Sequence, residues 1–215
     1  MTTPVSDFNT AILAYAPNAP DPLVERLLVK VARDFCERTH AWRAELSAMN
    51  VVAGAKEIPV TPPTDGVFVE VLSAVYDDRR PPLKPRTRKQ LDREVLAWRT
   101  KPGLPEFFTE GDALNEFWLA PLPQYSVSGG LVVTAAFKPT KTAAVLDDLL
   151  VDLYSEALVN GTLAELLTIP RKPWSDKGLA AYYKALYEEQ VVDATAKATD
   201  GRMKGVARKT KYGGL

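Results

Sequence analysis

The chain carries one cysteine and one histidine in 215 residues. Cys36 has no second cysteine to pair with, so an intramolecular disulfide is excluded and nothing points to an oxidising compartment. One cysteine and one histidine are too few for a typical structural zinc set. His40 lies at the end of an amphipathic stretch beside Ala41-Trp42, and it reads as a helix C-terminal residue favoured by the dipole rather than as a general base. Cys36, four residues earlier, is close enough to touch it and reads as an inert buried thiol. No apolar run approaches the roughly 20 residues of a membrane helix. The opening MTTPVSDFNTAIL has no basic stretch ahead of a long apolar one, so no secretory signal is expected, and synthesis in a cytoplasm is. The formal charge is +0, which weighs against a general nucleic-acid binder. Gly129-Gly130 is followed neither by Lys-Ser/Thr nor by a helix, so it is no phosphate loop. A Gly-x-Ser-x-Gly elbow is absent too. The acid pairs Asp147-Asp148 and Glu188-Glu189 fall on predicted helices and read as solvated faces. No catalytic, cofactor-binding or metal-binding set is therefore expected.

What is present is a foldable chain with an uneven layout. An apolar fraction of 46% is enough for a packed core. Most of the 17 prolines fall between residues 59 and 139, which predicts strands and loops there and helices on either side. The first helix is expected over about 21–42, with Asp21 as N-cap, Pro22 in the first turn and an apolar stripe of Val24, Leu27, Leu28, Val31 and Phe35. VFVEVLSAVY (67–76) reads as a strand with Val67, Val69, Val71 and Val75 on one face, and 43–51 as its partner. A hairpin is expected through Glu110-Gly111-Asp112, a strand over 131–139, and a short helix near 88–97.

Helices return after Pro139. Thr140 or Thr142 would cap one with the stripe Val145, Leu146, Leu149, Leu150 and Leu153, and Asn160-Gly161 would stop it. Thr162 and Glu165 then form a capping box for a short helix ending before Pro170. Ser175 would cap a last long helix to about Thr199, burying Leu179, Tyr182, Tyr183 and Leu186. The expected fold is α+β: an α-helical bundle from residues 1–42 and 140–200, an inserted antiparallel β domain over 43–139, and an extended C-terminal tail over 201–215.

Charge is neutral in total but clustered. Residues 79–101 hold Arg79, Arg80, Lys84, Arg86, Arg88, Lys89, Arg93, Arg99 and Lys101 against only Asp92 and Glu94. Residues 142–170 hold Asp147, Asp148, Asp152, Glu156 and Glu165 with no Lys or Arg before Arg171. The tail holds Arg202, Lys204, Arg208, Lys209 and Lys211 with no acidic side chain, and ends Tyr212-Gly-Gly-Leu. Ordinary surface charge accounts for such blocks as well as complementarity between copies or with a partner does. A polar tail without periodicity is expected to order only on a partner.

Several of these segments together resemble the head-to-tail adaptor family of short-tailed bacteriophages, the connector or tail tubular protein A-like proteins. The resembling elements are Asp21-Pro22-Leu23-Val24-Glu25-Arg26 leading into Phe35-Cys36-Glu37-Arg38-Thr39 and Trp42-Arg43. They continue with Leu119-Ala120-Pro121-Leu122-Pro123, the late strand to Pro139, Gly161 to Leu167, and Lys172-Pro173-Trp174-Ser175-Asp176 with the helix after it. Each is weak alone; their order and spacing span nearly the whole chain.

The resemblance implies a non-enzymatic virion protein without cofactors, forming a homo-oligomeric ring, commonly of twelve copies, between the portal protein and the tail nozzle. Such a ring extends the DNA channel, docks the tail and in some members meets fibres or spikes. It implies portal binding through the tail, here Arg202, Lys204, Arg208, Lys209, Lys211 and Tyr212. Asp147, Asp148, Asp152 and Glu156 then become candidates for lining the channel, where negative charge repels passing DNA. Three other readings stand beside it: a head-completion or neck protein of a long-tailed phage, a virion-borne hydrolase, and a DNA-binding accessory protein using residues 79–101.

Overall fold

The computed structural model describes residues 2–78 and 81–200, of 199 and 200 the backbone only. Short elements open the chain: β1 (Thr2–Pro4), a 3-10 turn (Val5–Phe8) and α1 (Asn9–Leu13). Then come α2 (Asp21–Thr39), β2 (Arg43–Glu45), β3 (Met49–Val51), β4 (Glu57–Pro59), β5 (Gly66–Tyr76), β6 (Lys84–Pro85) and α3 (Arg88–Glu94). The second half has β7 (Pro102–Gly103), β8 (Phe107–Glu110), β9 (Glu116–Ala120), β10 (Leu122–Pro123), β11 (Val127–Pro139), β12 (Val145–Asp147), α4 (Asp148–Leu167) and α5 (Lys177–Asp200). The class is mixed α+β. Pairing is antiparallel except where β6 meets β8 and β7 meets β10.

β11 is the spine of the main sheet. Ala135 pairs with Ala44 of β2 and with Val71 of β5, so those strands lie on opposite edges of β11. The segment 43–51 therefore does not pair with β5 as its pattern predicts; it forms two short strands, both on β11. Leu131, Val133, Ala135 and Phe137 pack into the core, each fully buried, and Ala136 between the last two is buried as well. The β5 partners of the first four are Tyr76, Ala74, Val71 and Phe68. Those partners are spaced two, three and three residues apart because the register shifts twice, skipping Leu72 and Val69. Each shift flips the phase of the pleat, and so the expected face of Val67, Val69, Val71 and Val75 does not exist; only Val71 packs on the core.

The hairpin is as the sequence predicts, with β8 on β9 and Glu110 opposite Phe117. α3 is capped by Thr87, whose hydroxyl accepts from the Gln90 amide at 3.3 Å while Gln90 returns to the Thr87 amide at 2.9 Å. Leu91 and Trp98 beside it pack with Trp118 and Ala120 in a small separate cluster.

α2 ends at Thr39, short of Trp42. His40 takes φ 50, and its amide donates to the Cys36 carbonyl. Trp42 is thereby released from the helix and packs at 6.1 Å from Phe137. Asp21 is the first helical residue rather than the cap, which is Pro20. α4 differs more from expectation. Val145 and Leu146 belong to β12, paired with β1, and the cap is Asp147, so neither Thr140 nor Thr142 starts the helix. The helix then runs unbroken through Asn160-Gly161.

The reason is packing. A Cβ built on Gly161 would sit 2.5 Å from Val31 Cγ1 and 2.8 Å from Tyr187 Cδ2. The missing side chain is what lets α2 and α5 close on α4. Thr162 donates back to the Leu158 carbonyl instead of capping, and Glu165 pairs with Lys30. On α5, Asp176 rather than Ser175 caps, accepting from the Gly178 and Leu179 amides. Its buried stripe is Ala180, Tyr187, Val191 and Ala194, while Leu179 and Tyr182 are exposed. The expected stripe is one residue, about 100° around the helix, out of phase, and Tyr183 is the expected member that packs against the core. Phe35 fills the junction of the three helices, 5.1 Å from Tyr154 and 6.3 Å from Tyr187.

Candidate interaction surface

The acidic block is sorted by the start of α4. Asp147 is half-buried and spends its carboxylate on the helix N-terminus, accepting from the Leu149 amide at 2.9 Å. Asp148 accepts from the Thr3 hydroxyl at 2.8 Å, tying the N-terminal strand to the helix. Asp152 and Glu156 are exposed and make no ion pair among the described residues. Spacing of four puts Asp148, Asp152 and Glu156 on one face. Of the four channel-lining candidates, the structure thus gathers three in a ridge and gives Asp147 a local role. Acids here also oppose the positive end of the helix dipole.

Three arginines of the basic block are paired within the molecule. Arg86 pairs with Glu94 at 2.9 Å, Arg88 with Asp112 at 2.5 Å, and Arg99 with Asp92. The same cations lie over aromatic rings: Arg88 is 4.2 Å from the centre of Trp118, Arg99 is 4.4 Å from Trp98, and Arg86 is 5.5 Å from Phe107. Lys56 also sits 3.9 Å from Trp118. Sequence inspection missed this because Asp112, Phe107 and Trp118 come from the β8–β9 hairpin. Arg79 and Arg80 lie outside the described residues. An arginine held between carboxylate and ring has little left for a phosphate, which weighs against DNA contacts by Arg86, Arg88 and Arg99.

His40 Nδ1 stands 3.2 Å from Glu70 Oε1 at the C-terminus of α2. The Cys36 thiol is fully buried, and burial pushes its ionisation far up, so it stays a thiol and packs as a small apolar group. No group of three or more His, Cys, Asp or Glu residues that could hold a metal occurs among the described residues. Among the same residues, no helix is long and apolar enough to cross a membrane.

The three long helices are also tied by charge. Arg38 bridges to Glu188 at 2.5 Å, Lys30 to Glu165 at 2.8 Å, and the Tyr187 hydroxyl donates to Asp34 at 2.9 Å. The Arg38 hydrogen bond holds the Glu188 carboxyl below its ordinary 4.5, and Lys138 does the same to Glu37. A carboxyl whose folded value is depressed stabilises the fold above its ordinary value and loses that contribution as pH falls through the lowered one. Both pairs are half-exposed, so each contributes no more than about 1 kcal/mol after screening. The thermal midpoint should therefore fall on acidification below pH 4.5, and less steeply in the Glu37→Gln/Glu188→Gln double variant. Parallel midpoint-versus-pH curves for both proteins would contradict these pairings.

The portal-binding candidates Arg202, Lys204, Arg208, Lys209, Lys211 and Tyr212 lie outside the described residues. No protein-family model matches the chain, and no curated protein matches it.

Proposed function

We propose that this protein is a structural component of a phage neck: a head-to-tail adaptor that assembles as a ring of about twelve copies, by the resemblance above, between portal and tail nozzle. The observation that carries the reading is the junction of α2, from the front of the chain, with α4 and α5, from its back. All strands except β1 lie between α2 and α4 in sequence. In this reading residues 1–42 and 140–200 are the bundle, 43–139 the inserted β domain, and 201–215 the tail that grips the portal. The protein is made in the host bacterial cytoplasm and works without catalysis or cofactor in the virion neck.

The acidic ridge has a place in this scheme. Asp152 and Glu156 are exposed and make no ion pair among the described residues, so a ring that turned them inward would repel the DNA backbone. A ring structure should show them facing the channel; finding them paired with arginines in a subunit interface would contradict this role. The adaptor reading itself is tested by mixing the purified chain with the portal ring of the same virus and weighing the product by light scattering. One chain per portal subunit is expected. Separate elution of the two proteins would contradict it. A monomeric chain in the absence of portal is compatible with templated assembly.

A further inference from the structure

We propose that the groove between the N-terminal segment and α4 is the docking site of the chain's own residues 201–215 before the protein meets a partner. The groove encloses about 420 Å³. Phe8, Ala11, Val151 and Val159 give it a mostly apolar lining, with Asp7 and Glu156 among the polar residues that line it. Asp152 stands one turn from Glu156 on the same exposed face. Asp7, Asp152 and Glu156 make no ion pair among the described residues.

Where the helices end selects the occupant. α4 and α5 run antiparallel, with the Asn160 amide donating to Gln190 Oε1 at 3.1 Å. Ten residues past Gln190, α5 ends at Asp200; ten residues before Asn160 is Leu150, near the start of α4. Both steps cover about 15 Å of helix, so α5 ends level with the acidic start of α4. Packed helix axes lie about 8–10 Å apart.

Asn160 and Gly161 face α5, whereas Val151, Ser155 and Val159 lie on the opposite side of α4. Between the two sides, the open face carries Leu153, which is 50% exposed, together with Asp152 and Glu156. Residues 201–215 span up to about 50 Å when extended, which is ample to round half a helix about 10–12 Å across.

The chemistry matches as well. Residues 201–215 supply five cations and no acidic side chain for the carboxylates, and Met203, Val206, Tyr212 and Leu215 for the apolar lining. The docking needs only the free chain and does not rest on the adaptor reading. Within that reading, a portal that draws the segment away would also uncover the acidic ridge.

The test uses the full chain with Gly214→Cys carrying a nitroxide. Cys36 is fully buried and stays unlabelled. In dilute isotope-labelled protein the amides of Ala11, Val151 and Val159 should broaden. Asp152→Lys/Glu156→Lys, or high salt without any substitution, should restore them. If broadening appears only when nitroxide and isotope are on different molecules, the segment docks on a second copy and the proposal is overturned. Sharp amides in both samples would overturn it too. Failure of portal binding would leave this result unchanged, so the two proposals fail separately.

Discussion

Gly161→Leu is expected to abolish the cooperative unfolding of this protein, and Gly161→Ala to lower its thermal midpoint. The position lies inside α4, where a glycine normally costs about 1 kcal/mol relative to alanine, so alanine at an open site would stabilise. Here the added Cβ would stand 2.5 Å from Val31 Cγ1 and 2.8 Å from Tyr187 Cδ2, inside contact distance on two sides. Overpacking of a filled core costs about 1–3 kcal/mol. The balance for alanine is a net loss of about 1–2 kcal/mol, or several degrees for a chain of this size. Leucine adds three more heavy atoms with nowhere to go and should separate α5 from the other helices. Circular dichroism melts of the two variants decide the matter. A stabilised Gly161→Ala would mean that the three helices do not close at this residue.

Ending the chain at Asp200 should leave the fold intact while weakening portal binding at least about a hundredfold, equivalent to about 2.8 kcal/mol. The fold should survive because the buried stripe of α5 runs from Ala180 to Ala194, before the cut. The affinity should fall because the removed segment carries Arg202, Lys204, Arg208, Lys209, Lys211 and Tyr212 and no acidic side chain. Replacing its five cations with glutamine should give an intermediate loss and flatten the salt dependence of binding. Tyr212→Ala should weaken binding without changing that salt slope. Unchanged portal affinity in the truncated chain would move the contact onto the folded part of the molecule.

Local chemistry was the part of this fold legible in the sequence. Pro22 marks the start of α2 and Gly111 the β8–β9 turn; each acts within a few residues and each is found where its pattern predicts. Signals read as local but set by distant partners went astray. Asn160-Gly161 has the composition of a helix stop, yet the glycine is there to admit Val31 and Tyr187. The alternation of β5 fails because two register shifts against β11 change which side chains turn inward. β1 and β12 are three residues each, too short for periodicity to register, and they exist by pairing with one another.

The candidate surfaces follow the same rule. The acidic block is visible as composition, but only the capping role of Asp147 and the Thr3 contact of Asp148 separate it from the exposed pair Asp152 and Glu156. Within the basic block, Arg88 looked available until the hairpin supplied it with Asp112 and Trp118.

The most direct test of the central claim is the copy number of this chain relative to the portal protein in purified virus particles, measured by quantitative mass spectrometry. A ring adaptor beneath the portal predicts an equimolar ratio. Absence of the chain from particles would contradict the adaptor reading outright and return its acidic and basic surfaces to some other partner.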